Sequence, residues 1–311
     1  MKKLLSLVLC LVLVFSMAAC GNSNAGTTTT TPTKAPVESS QTGTTTETTP
    51  ANTVVEDAAM GYFANFADDR NMISIAKLLE KMVAGEEVVI LDIRRADDYN
   101  AGHLKGAVNI PYGTAIAENL EKIPDDVVIY VNCYSGQTSS QTVSVLRAAG
   151  KYTVNIQGGW KAISAAEGVA DFTETTANTF PEGTYAVADE MEKAILDYYT
   201  AATTGTYSSF NFPVAAAKEL VDAQSDAYTF VSVRSADDYA AGHIPGAINI
   251  PFGKNMQESF NKIPKDKPVI VYCYSGQTSS QTMGILRLLG FEAYSLLGGS
   301  NGDAGALMTE K

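Results

Sequence analysis

Two cysteines carry the clearest chemical signal in the sequence. Cys133 and Cys273 each begin the same ten-residue segment, Cys-Tyr-Ser-Gly-Gln-Thr-Ser-Ser-Gln-Thr, at 133–142 and at 273–282. A cysteine thiolate is a strong nucleophile and performs covalent group transfer or redox chemistry. The alternative is an inert cysteine buried at the end of a strand. Because apolar positions around the segment differ between the copies while the segment is identical, the pattern favours a functional cysteine.

The residues around the cysteine predict how it is held. The apolar run Val127–Val131 predicts a buried strand that leads into Cys133, and Thr138–Ala149 predicts a helix. Gly136 lies between them, where a sharp turn of the backbone needs a residue without a side chain. Backbone N–H groups at the start of a helix stabilise negative charge, so this position favours the thiolate and would also stabilise a persulfide or an oxyanion.

The cysteine segment belongs to a long internal repeat. Cys133 and Cys273 are 140 positions apart, and the same offset relates the chain from Asp92 to Gly159 to its second copy without a gap, with about half of the residues identical. A repeat of this length is a domain rather than a solenoid unit. A chain of 311 residues also accommodates two domains.

Each copy alternates predicted strands and helices. In the first copy, Ile75–Met82 has helical spacing of apolar residues, whereas Val88–Leu91, Ala107–Ile110 and Val154–Ile156 are short apolar runs typical of buried strands. This order predicts an α/β fold with two tandem domains, each a mostly parallel sheet flanked by helices.

An aromatic-rich helix is predicted before each copy. Tyr62, Phe63 and Phe66 precede the first copy, and Tyr198 and Tyr199 precede the second. We expect each helix to use these residues to dock on its own domain.

The chain before the repeat is predicted to comprise a signal peptide and a flexible tether. Lys2 and Lys3 precede an apolar stretch and small residues up to Ala19, which is typical of a secretory signal. The site resembles a bacterial lipoprotein lipobox, which implies acylation of Cys20; ordinary signal cleavage is the alternative. We expect an extracytoplasmic protein that is lipid-anchored to the bacterial cell membrane. No apolar run reaches the roughly 18 residues of a spanning helix, so the lipid would be the only membrane attachment.

The predicted organisation follows from these features. It comprises a lipoprotein signal peptide at 1–19, a Thr-rich disordered tether at 20–53, a first domain with its preceding helix at 54–167, a linker at 168–184, a second domain with its preceding helix at 185–302 and a tail at 303–311.

Composition excludes several classes of partner and site. The chain has 22 basic and 34 acidic residues and a net charge of -12, which argues against a nucleic-acid partner. Removal of Lys2 and Lys3 with the signal would leave 20 basic against 34 acidic residues, or -14. Four cysteines do not make a disulfide scaffold. No cluster has metal-ligand spacing and no nucleotide-binding loop occurs, so we expect neither a metal nor a cofactor.

A set of short motifs resembles the rhodanese family. The first copy carries Asp92-Ile93-Arg94, Asp98-Tyr99, Gly102-His103, Gly106-Ala107, Asn109-Ile110-Pro111, the loop from Cys133 to Thr138, and Gly158-Gly159-Trp160. The second copy matches at Arg234, Asp238-Tyr239, Gly242-His243, Gly246-Ala247, Asn249-Ile250-Pro251, Cys273 to Thr278 and Gly298-Gly299. The resemblance covers about residues 73–165 and 212–302 and implies two tandem rhodanese-like domains.

The resemblance also implies the roles of site residues. Cys133 and Cys273 would be the nucleophiles that become persulfides. The anion-binding cradles would be formed by Tyr134, Ser135, Gly136, Gln137 and Thr138, and by Tyr274, Ser275, Gly276, Gln277 and Thr278. Structural support would come from Asp92, Arg94, Asp98, His103, Arg234, Asp238 and His243, with Arg94–Asp98 and Arg234–Asp238 as ion pairs. Ser232 replaces Asp92 in the second copy, which puts the competence of that site in question.

The resemblance implies a sulfurtransferase. A donor such as thiosulfate, a persulfide or a polysulfide would pass its sulfane sulfur to a thiol or to cyanide. Related phosphatases have a longer loop that ends in arginine, whereas this loop ends in Thr138. The loop is neutral and the chain acidic, so persulfide donors are as plausible as thiosulfate. The alternative is a non-catalytic rhodanese-like module for binding or redox sensing.

Overall fold

The computed structural model describes residues 51–311. The predicted signal peptide, the lipidation of Cys20 and nearly all of the predicted tether lie outside the described residues. A helix begins at Ala51, so the last residues assigned to the tether belong to this helix. Within residues 51–311, no helix is both long enough and apolar enough to cross a membrane.

The first repeat alternates short strands and helices. Its strands are β1 (Met72–Ile73), β2 (Val89–Asp92), β3 (His103–Leu104), β4 (Ala107–Asn109), β5 (Ile129–Asn132), β6 (Thr153–Ile156) and β7 (Thr173–Glu174). Its helices are α1 (Ala51–Ala64), α2 (Ile75–Val83), α3 (Ala96–Asn100), α4 (Thr114–Glu118), α5 (Gln137–Ala148) and α6 (Gly159–Ile163). Short 3-10 helices lie at Leu120–Lys122 and Val169–Phe172.

The second repeat has counterparts of the five sheet strands and of α1, α2, α3 and α5 in the same order. Its strands are β8 (Asn211–Phe212), β9 (Thr229–Ser232), β10 (Ile248–Asn249), β11 (Val269–Tyr272) and β12 (Ala293–Leu296). Its helices are α7 (Asp189–Thr204), α8 (Val214–Asp222), α9 (Ala236–Ala241) and α10 (Gln277–Leu288). Short 3-10 helices lie at Ser208–Phe210, Met256–Lys262 and Gly302–Leu307.

Each repeat forms a five-stranded parallel sheet, which confirms the predicted α/β fold. The strand orders are β1-β6-β5-β2-β4 and β8-β12-β11-β9-β10. The central strands β5 and β11 are buried along their whole length, as expected for parallel strands that are covered on both faces. Cys133 and Cys273 follow these strands directly, so both lie at the carboxyl edges of their sheets, where ligands bind in open α/β folds.

The two repeats share one hydrophobic core through α5 and α10. Buried apolar residues of both sheets belong to one continuous cluster that contains both cysteines. The helices approach closely where Gly284 faces its counterpart Ser144, because a Cβ atom at Gly284 would lie 2.4 Å from Ser144 Oγ. The glycine therefore permits a close helix contact at the centre of the molecule.

The helices that precede the repeats place aromatic residues against the opposite repeat while they also contact their own, α1 at α5 and α7 at α10, so the prediction that each docks on its own domain is only partly correct. Phe63 of α1 packs edge-to-face against Phe252 of the second repeat, with ring centroids 5.8 Å apart. Tyr199 of α7 packs in the same way against Tyr112 of the first repeat at 5.4 Å. Tyr112 and Phe252 are counterparts, so the two repeats offer equivalent surfaces. Either surface could bury the aromatic face of a helix, and the sequence could not distinguish between them.

The segment predicted as a linker, 168–184, adds structure to the first repeat. Strand β7 pairs with β3 in an antiparallel ladder, and the Glu174 carboxylate accepts a hydrogen bond from the N–H of Gly106 at 2.7 Å. Glu310 of the predicted tail does the same for Gly246 at 2.6 Å. Both segments therefore pack on the repeat that precedes them.

Candidate functional site

The Cys133 thiol lies in a ring of hydrogen-bond donors. The side chain is buried, and its Sγ accepts hydrogen bonds from the N–H of Gly136 and the hydroxyl of Ser139, both at 3.1 Å. Gly136 is the N-cap of α5 and has a left-handed conformation with φ of 86°. The positive end of a twelve-residue helix thus faces the sulfur. Such a site stabilises a sulfur that carries negative charge.

The Cys273 thiol has the same environment in the second repeat. Its Sγ accepts hydrogen bonds from the N–H of Gly276 at 3.1 Å and from the hydroxyl of Ser279 at 3.4 Å. Gly276, with φ of 84°, is the N-cap of α10. The duplicated sequence therefore gives two sites with the same local geometry.

A pair of glycines closes each cysteine loop from the neighbouring strand. A Cβ atom at Gly159 would lie 2.5 Å from the carbonyl oxygen of Cys133 and 2.6 Å from the nitrogen of Gly136. A Cβ atom at Gly299 would lie 2.7 Å from the carbonyl oxygen of Cys273, so the second loop is approached as closely. Any side chain at these positions would displace the loop, which explains why both copies have glycine there.

The tyrosines of the loops are exposed and bind carboxylates on their rims. The hydroxyl of Tyr134 donates a hydrogen bond to Asp98 Oδ2 at 2.5 Å, and the hydroxyl of Tyr274 donates to Asp238. The bond from Tyr134 is the main cause that lowers the pKa of Asp98. The pKa of Asp238 is lowered by hydrogen bonds from Ser235 and then from Tyr274. Tyr134 and Tyr274 thus tie the cysteine loop to the helix that follows the second strand of each sheet.

The glutamine side chain of each cysteine loop forms hydrogen bonds with the opposite repeat. Gln137 Oε1 accepts a hydrogen bond from the N–H of Gly298 at 3.1 Å, and its Nε2 donates to Ser295 Oγ at 3.2 Å. In return, Gln277 Oε1 accepts from Asn155 Nδ2 at 2.9 Å. These side chains connect the loops to the opposite repeat, and Gln277 also lines the cleft at its own cysteine.

The other loop residues have simpler positions. Ser135 and Ser275 are exposed, and Thr138 and Thr278 are half-buried in the first turns of α5 and α10. The role assigned to these residues as a cradle stays a prediction.

Arg94 and Asp92 form a buried ion pair beneath the first loop. Arg94 Nη2 donates to Asp92 Oδ2 at 2.6 Å, and the two side chains are 2% and 1% exposed. The guanidinium also stacks on the Trp160 ring, with its central carbon 3.9 Å from the ring centroid. This arrangement connects β2 with α6, and the N–H of Trp160 in turn donates to the carbonyl oxygen of Cys133 at 2.6 Å.

The predicted ion pairs Arg94–Asp98 and Arg234–Asp238 are wrong. Arg94 binds only the backbone carbonyl of Asp98, because α3 turns the carboxylate outward to Tyr134. The carboxylate of Asp238 is likewise bound by Tyr274 and Ser235.

The second repeat has no carboxylate where Asp92 stands in the first. Arg234 is 7% exposed, and its Nε donates to Ser232 Oγ at 3.4 Å, where Arg94 donates to the Asp92 carboxylate in the first repeat. It also donates to the carbonyl oxygen of Gly242. The polar support under the second loop is therefore weaker than that under the first.

The two histidines are held by their own turns. His103 Nδ1 lies 2.8 Å from the carbonyl oxygen of Tyr99, and its ring stacks on Tyr99 with centroids 3.6 Å apart. His243 contacts Tyr239 in the same way, at 2.9 Å and 3.8 Å. Both rings thus pack on the helix that precedes them, which is the kind of contact that the structural role assigned to them requires.

Sequence reasoning missed the serines that contact the sulfur atoms. The Ser139 hydroxyl also lies 2.6 Å from Asn155 Oδ1, so its single proton is shared between that oxygen and the sulfur, and Ser279 lies 2.9 Å from Ser295 Oγ. A signal for them existed, because the identical ten-residue segment continues past the loop into a helix face that is polar and yet buried. In residues 51–311 no group of three or more histidine, cysteine or acidic side chains is arranged to hold a metal ion.

Comparison with known proteins identifies the family. The family model for the rhodanese-like domain matches residues 75–166 and 214–305. SseA of Mycobacterium bovis is 28% identical over 226 residues, which cover 62% of this chain and 73% of that protein. The thiosulfate sulfurtransferase GlpE of Coxiella burnetii is 44% identical over 68 residues, which cover 22% of this chain and 63% of that protein. Among solved structures, SseA from Escherichia coli matches with a TM-score of 0.36 and 19% identity, over 73% of this chain and 98% of that one. Because both family segments carry a cysteine loop and together span more than half of the sequence, the chain belongs to the rhodanese family and contains two copies of its domain.

Proposed function

We propose that the chain is a rhodanese-type sulfurtransferase that carries a sulfane sulfur on Cys133 and Cys273. The observation that supports this most strongly is the pair of donors on each sulfur. A buried thiol that meets an N–H and a hydroxyl at the start of a helix is in a site suited to negative charge. The family membership and the sulfurtransferase relatives support the same reaction.

The proposed reaction has two displacement steps. In the first, the cysteine thiolate attacks the outer sulfur of thiosulfate; a sulfur–sulfur bond forms to the enzyme, and the one within thiosulfate breaks. Sulfite leaves with the electron pair, and the enzyme holds a persulfide. In the second step, a thiolate or cyanide attacks the outer sulfur of the persulfide. The enzyme thiolate then leaves with the electron pair and is ready for another turn.

The donors around Cys133 would act in both steps. The N–H of Gly136 and the hydroxyl of Ser139 stabilise the attacking thiolate before the first step and the departing thiolate in the second. The positive end of α5 would also stabilise the negative charge of the persulfide. These groups are fixed by the helix and by the close glycine pair, so little reorganisation is needed when charge moves.

We propose specific classes of sulfur donor and sulfur acceptor. Thiosulfate is the donor named for the Coxiella relative, and a persulfide or polysulfide is the other donor that the chemistry allows. The acceptor would be a thiol or cyanide, because both are nucleophiles toward sulfane sulfur.

We also propose that the protein works outside the cytoplasm on a lipid anchor at Cys20. The support is the pattern of the first twenty residues: a basic start, an apolar stretch and small residues before the cysteine. Incorporation of labelled palmitate into the wild-type chain and its loss in Cys20→Ala would support the anchor. Labelling that persists in Cys20→Ala would contradict it.

The test of the reaction is the mass of the protein after treatment with thiosulfate. We expect a gain of one sulfur atom at each cysteine, which a reducing agent reverses, and sulfite release in step with it. The Cys133→Ser/Cys273→Ser double variant should show neither. An unmodified wild-type chain with both donor types would favour the alternative of a binding or redox-sensing module.

A further inference from the structure

A cleft of about 300 Å³ lies against Cys273 and is built from both repeats. The second repeat contributes the cysteine loop, including Tyr274 and Thr278, whereas Arg70, Met72 and Gln157 come from the first repeat. The site of the second cysteine is therefore completed by the first repeat, with Arg70 just before β1, Met72 in β1 and Gln157 just after β6. Its selectivity depends on which of these side chains faces a substrate.

The backbone of Arg70 is held at this cleft by a hydrogen bond from the second repeat. Its carbonyl oxygen accepts from Gln281 Nε2 at 3.2 Å, and Gln281 lies on α10 just after the cysteine loop. Gln281 Oε1 in turn accepts from the hydroxyl of Tyr62 on α1. Arg70 and Asn71 are both left-handed, with φ of 59° and 54°, so the segment forms a defined turn at the cleft.

The guanidinium of Arg70 is available to a ligand. The residue is exposed, and within residues 51–311 its side chain makes no ion pair and no hydrogen bond. The nearest acids in sequence are Asp68 and Asp69, and the Asp69 carboxylate accepts the N–H of Asn71. On the opposite rim, Asp238 is engaged by Tyr274. The cleft is thus lined by both Cys273 and an arginine with no ion-pair partner among the described residues, in a chain whose net charge is -12.

The corresponding position in the other half is Ser209. Its carbonyl oxygen accepts from Gln141 Nε2 at 2.7 Å, and Gln141 is the counterpart of Gln281. Ser209 is also left-handed, with φ of 54°. The same turn thus faces the first site with a neutral hydroxyl instead of a guanidinium.

The cation on the rim of the first loop is already paired. Arg95 Nε lies 3.2 Å from Asp98 Oδ2 and 3.3 Å from the hydroxyl of Tyr134. Its counterpart in the second repeat is Ser235, which is neutral. Both sites thus have one arginine and one carboxylate nearby, and they differ in that Arg95 is paired with Asp98 whereas Arg70 is unpaired among the described residues.

We propose that Arg70 is the anion-recognition residue of the Cys273 site and makes this site, rather than the Cys133 site, selective for anionic sulfur donors such as thiosulfate. The proposal rests on the proposed sulfurtransferase function and specifies the substrate class of one of its two sites. A guanidinium suits the sulfonate oxygens of thiosulfate, because its planar donors can bind two oxygens at once. Arg70 would hold those oxygens while the Cys273 thiolate attacks the outer sulfur and sulfite leaves with the electron pair.

The test compares two alkylating reagents that differ in charge. Iodoacetate is an anion, and iodoacetamide is a neutral molecule of nearly the same size. Their rates at Cys273 are measured in the Cys133→Ser chain, with and without Arg70→Ala, and so is the KM for thiosulfate. Arg70→Lys keeps the charge, and Lys218→Ala removes an exposed cation of α8 that does not line the cleft.

We expect Arg70→Ala to reduce the iodoacetate rate by about five-fold and to raise the KM for thiosulfate by a similar factor, the scale of one exposed charge interaction. The iodoacetamide rate should stay constant, Arg70→Lys should keep most of the preference, and Lys218→Ala should have no effect. In the Cys273→Ser chain, Ser209→Arg should raise the iodoacetate rate at Cys133.

Two results would overturn the proposal. One is a ratio of the two alkylation rates that Arg70→Ala leaves unchanged, and the other is a Cys273 that neither reagent modifies. A changed ratio without any sulfite release would support the anion site and contradict the sulfurtransferase function instead.

Discussion

The replacement Asp92→Ser would give the first repeat the residue that the second repeat carries. In the wild type, Asp92 and Arg94 are almost fully buried and joined at 2.6 Å. Removal of one partner of a buried ion pair costs about 3–5 kcal/mol, because the remaining charge is left without compensation. Arg94 would keep its bonds to the carbonyl oxygens of Asp98 and Gly102. We therefore expect a loss of about 3 kcal/mol in the free energy of unfolding, at the lower end of this range.

Urea unfolding measures this loss, and the sequence supplies the probe. Trp160 is the only tryptophan in the chain and stacks on Arg94, so its fluorescence reports on this ion pair and on the first repeat. The isosteric variant Asp92→Asn separates the loss of charge from the loss of shape. The reciprocal change Ser232→Asp gives Arg234 a carboxylate, and we expect it to stabilise the protein by up to about 2 kcal/mol. A loss of less than about 1 kcal/mol in Asp92→Ser, at an unchanged m-value, would refute the importance of the pair.

Three further predictions follow from the described contacts. Ser139→Ala removes a hydrogen bond to the sulfur of Cys133, and we expect about a ten-fold slower persulfide formation there in stopped-flow sulfite release; an unchanged rate would contradict the role of this hydroxyl. Gly284→Ala places a Cβ atom against Ser144 Oγ, so we expect a loss of about 1–2 kcal/mol in thermal unfolding that Ser144→Ala partly restores; full stability of the single variant would be inconsistent with the close contact. Tyr134→Phe removes the main cause that lowers the pKa of Asp98, so a carbon-13 NMR titration should show this pKa rise. A carboxyl whose pKa is lower in the folded than in the unfolded protein stabilises the fold at pH values above its unfolded pKa of about 4, and this stabilisation is lost on acidification. The variant should therefore be less stable than the wild type at neutral pH, whereas the two should differ little in strong acid.

The sequence predicted those features that are set by local pattern. The parallel α/β fold followed from the alternation of apolar runs, and the helix predicted from Thr138 begins at Gln137 in the structure. The position of Cys133 at the end of a central strand followed from the apolar run before it. In each case the residues that determine the feature are close together in the chain, so their spacing is enough to predict it.

Contacts between the repeats were beyond the reach of the pattern. The aromatic face of α1 meets Phe252 of the other repeat, and Gln137 binds the N–H of Gly298, because the duplicated surfaces are nearly interchangeable. The choice of Asp92 over Asp98 as the partner of Arg94 depends on how α3 turns its side chains, which composition does not encode. Such choices are settled by tertiary packing.

The most direct test of the central claim follows sulfur on each cysteine separately. The Cys133→Ser and Cys273→Ser chains are treated with thiosulfate, and the mass of each cysteine-containing peptide is measured before and after addition of cyanide. We expect Cys273 in the Cys133→Ser chain and Cys133 in the Cys273→Ser chain to gain one sulfur atom and to lose it to cyanide as thiocyanate. Thiocyanate formation at the wild-type rate in the chain that lacks both cysteines would contradict the account.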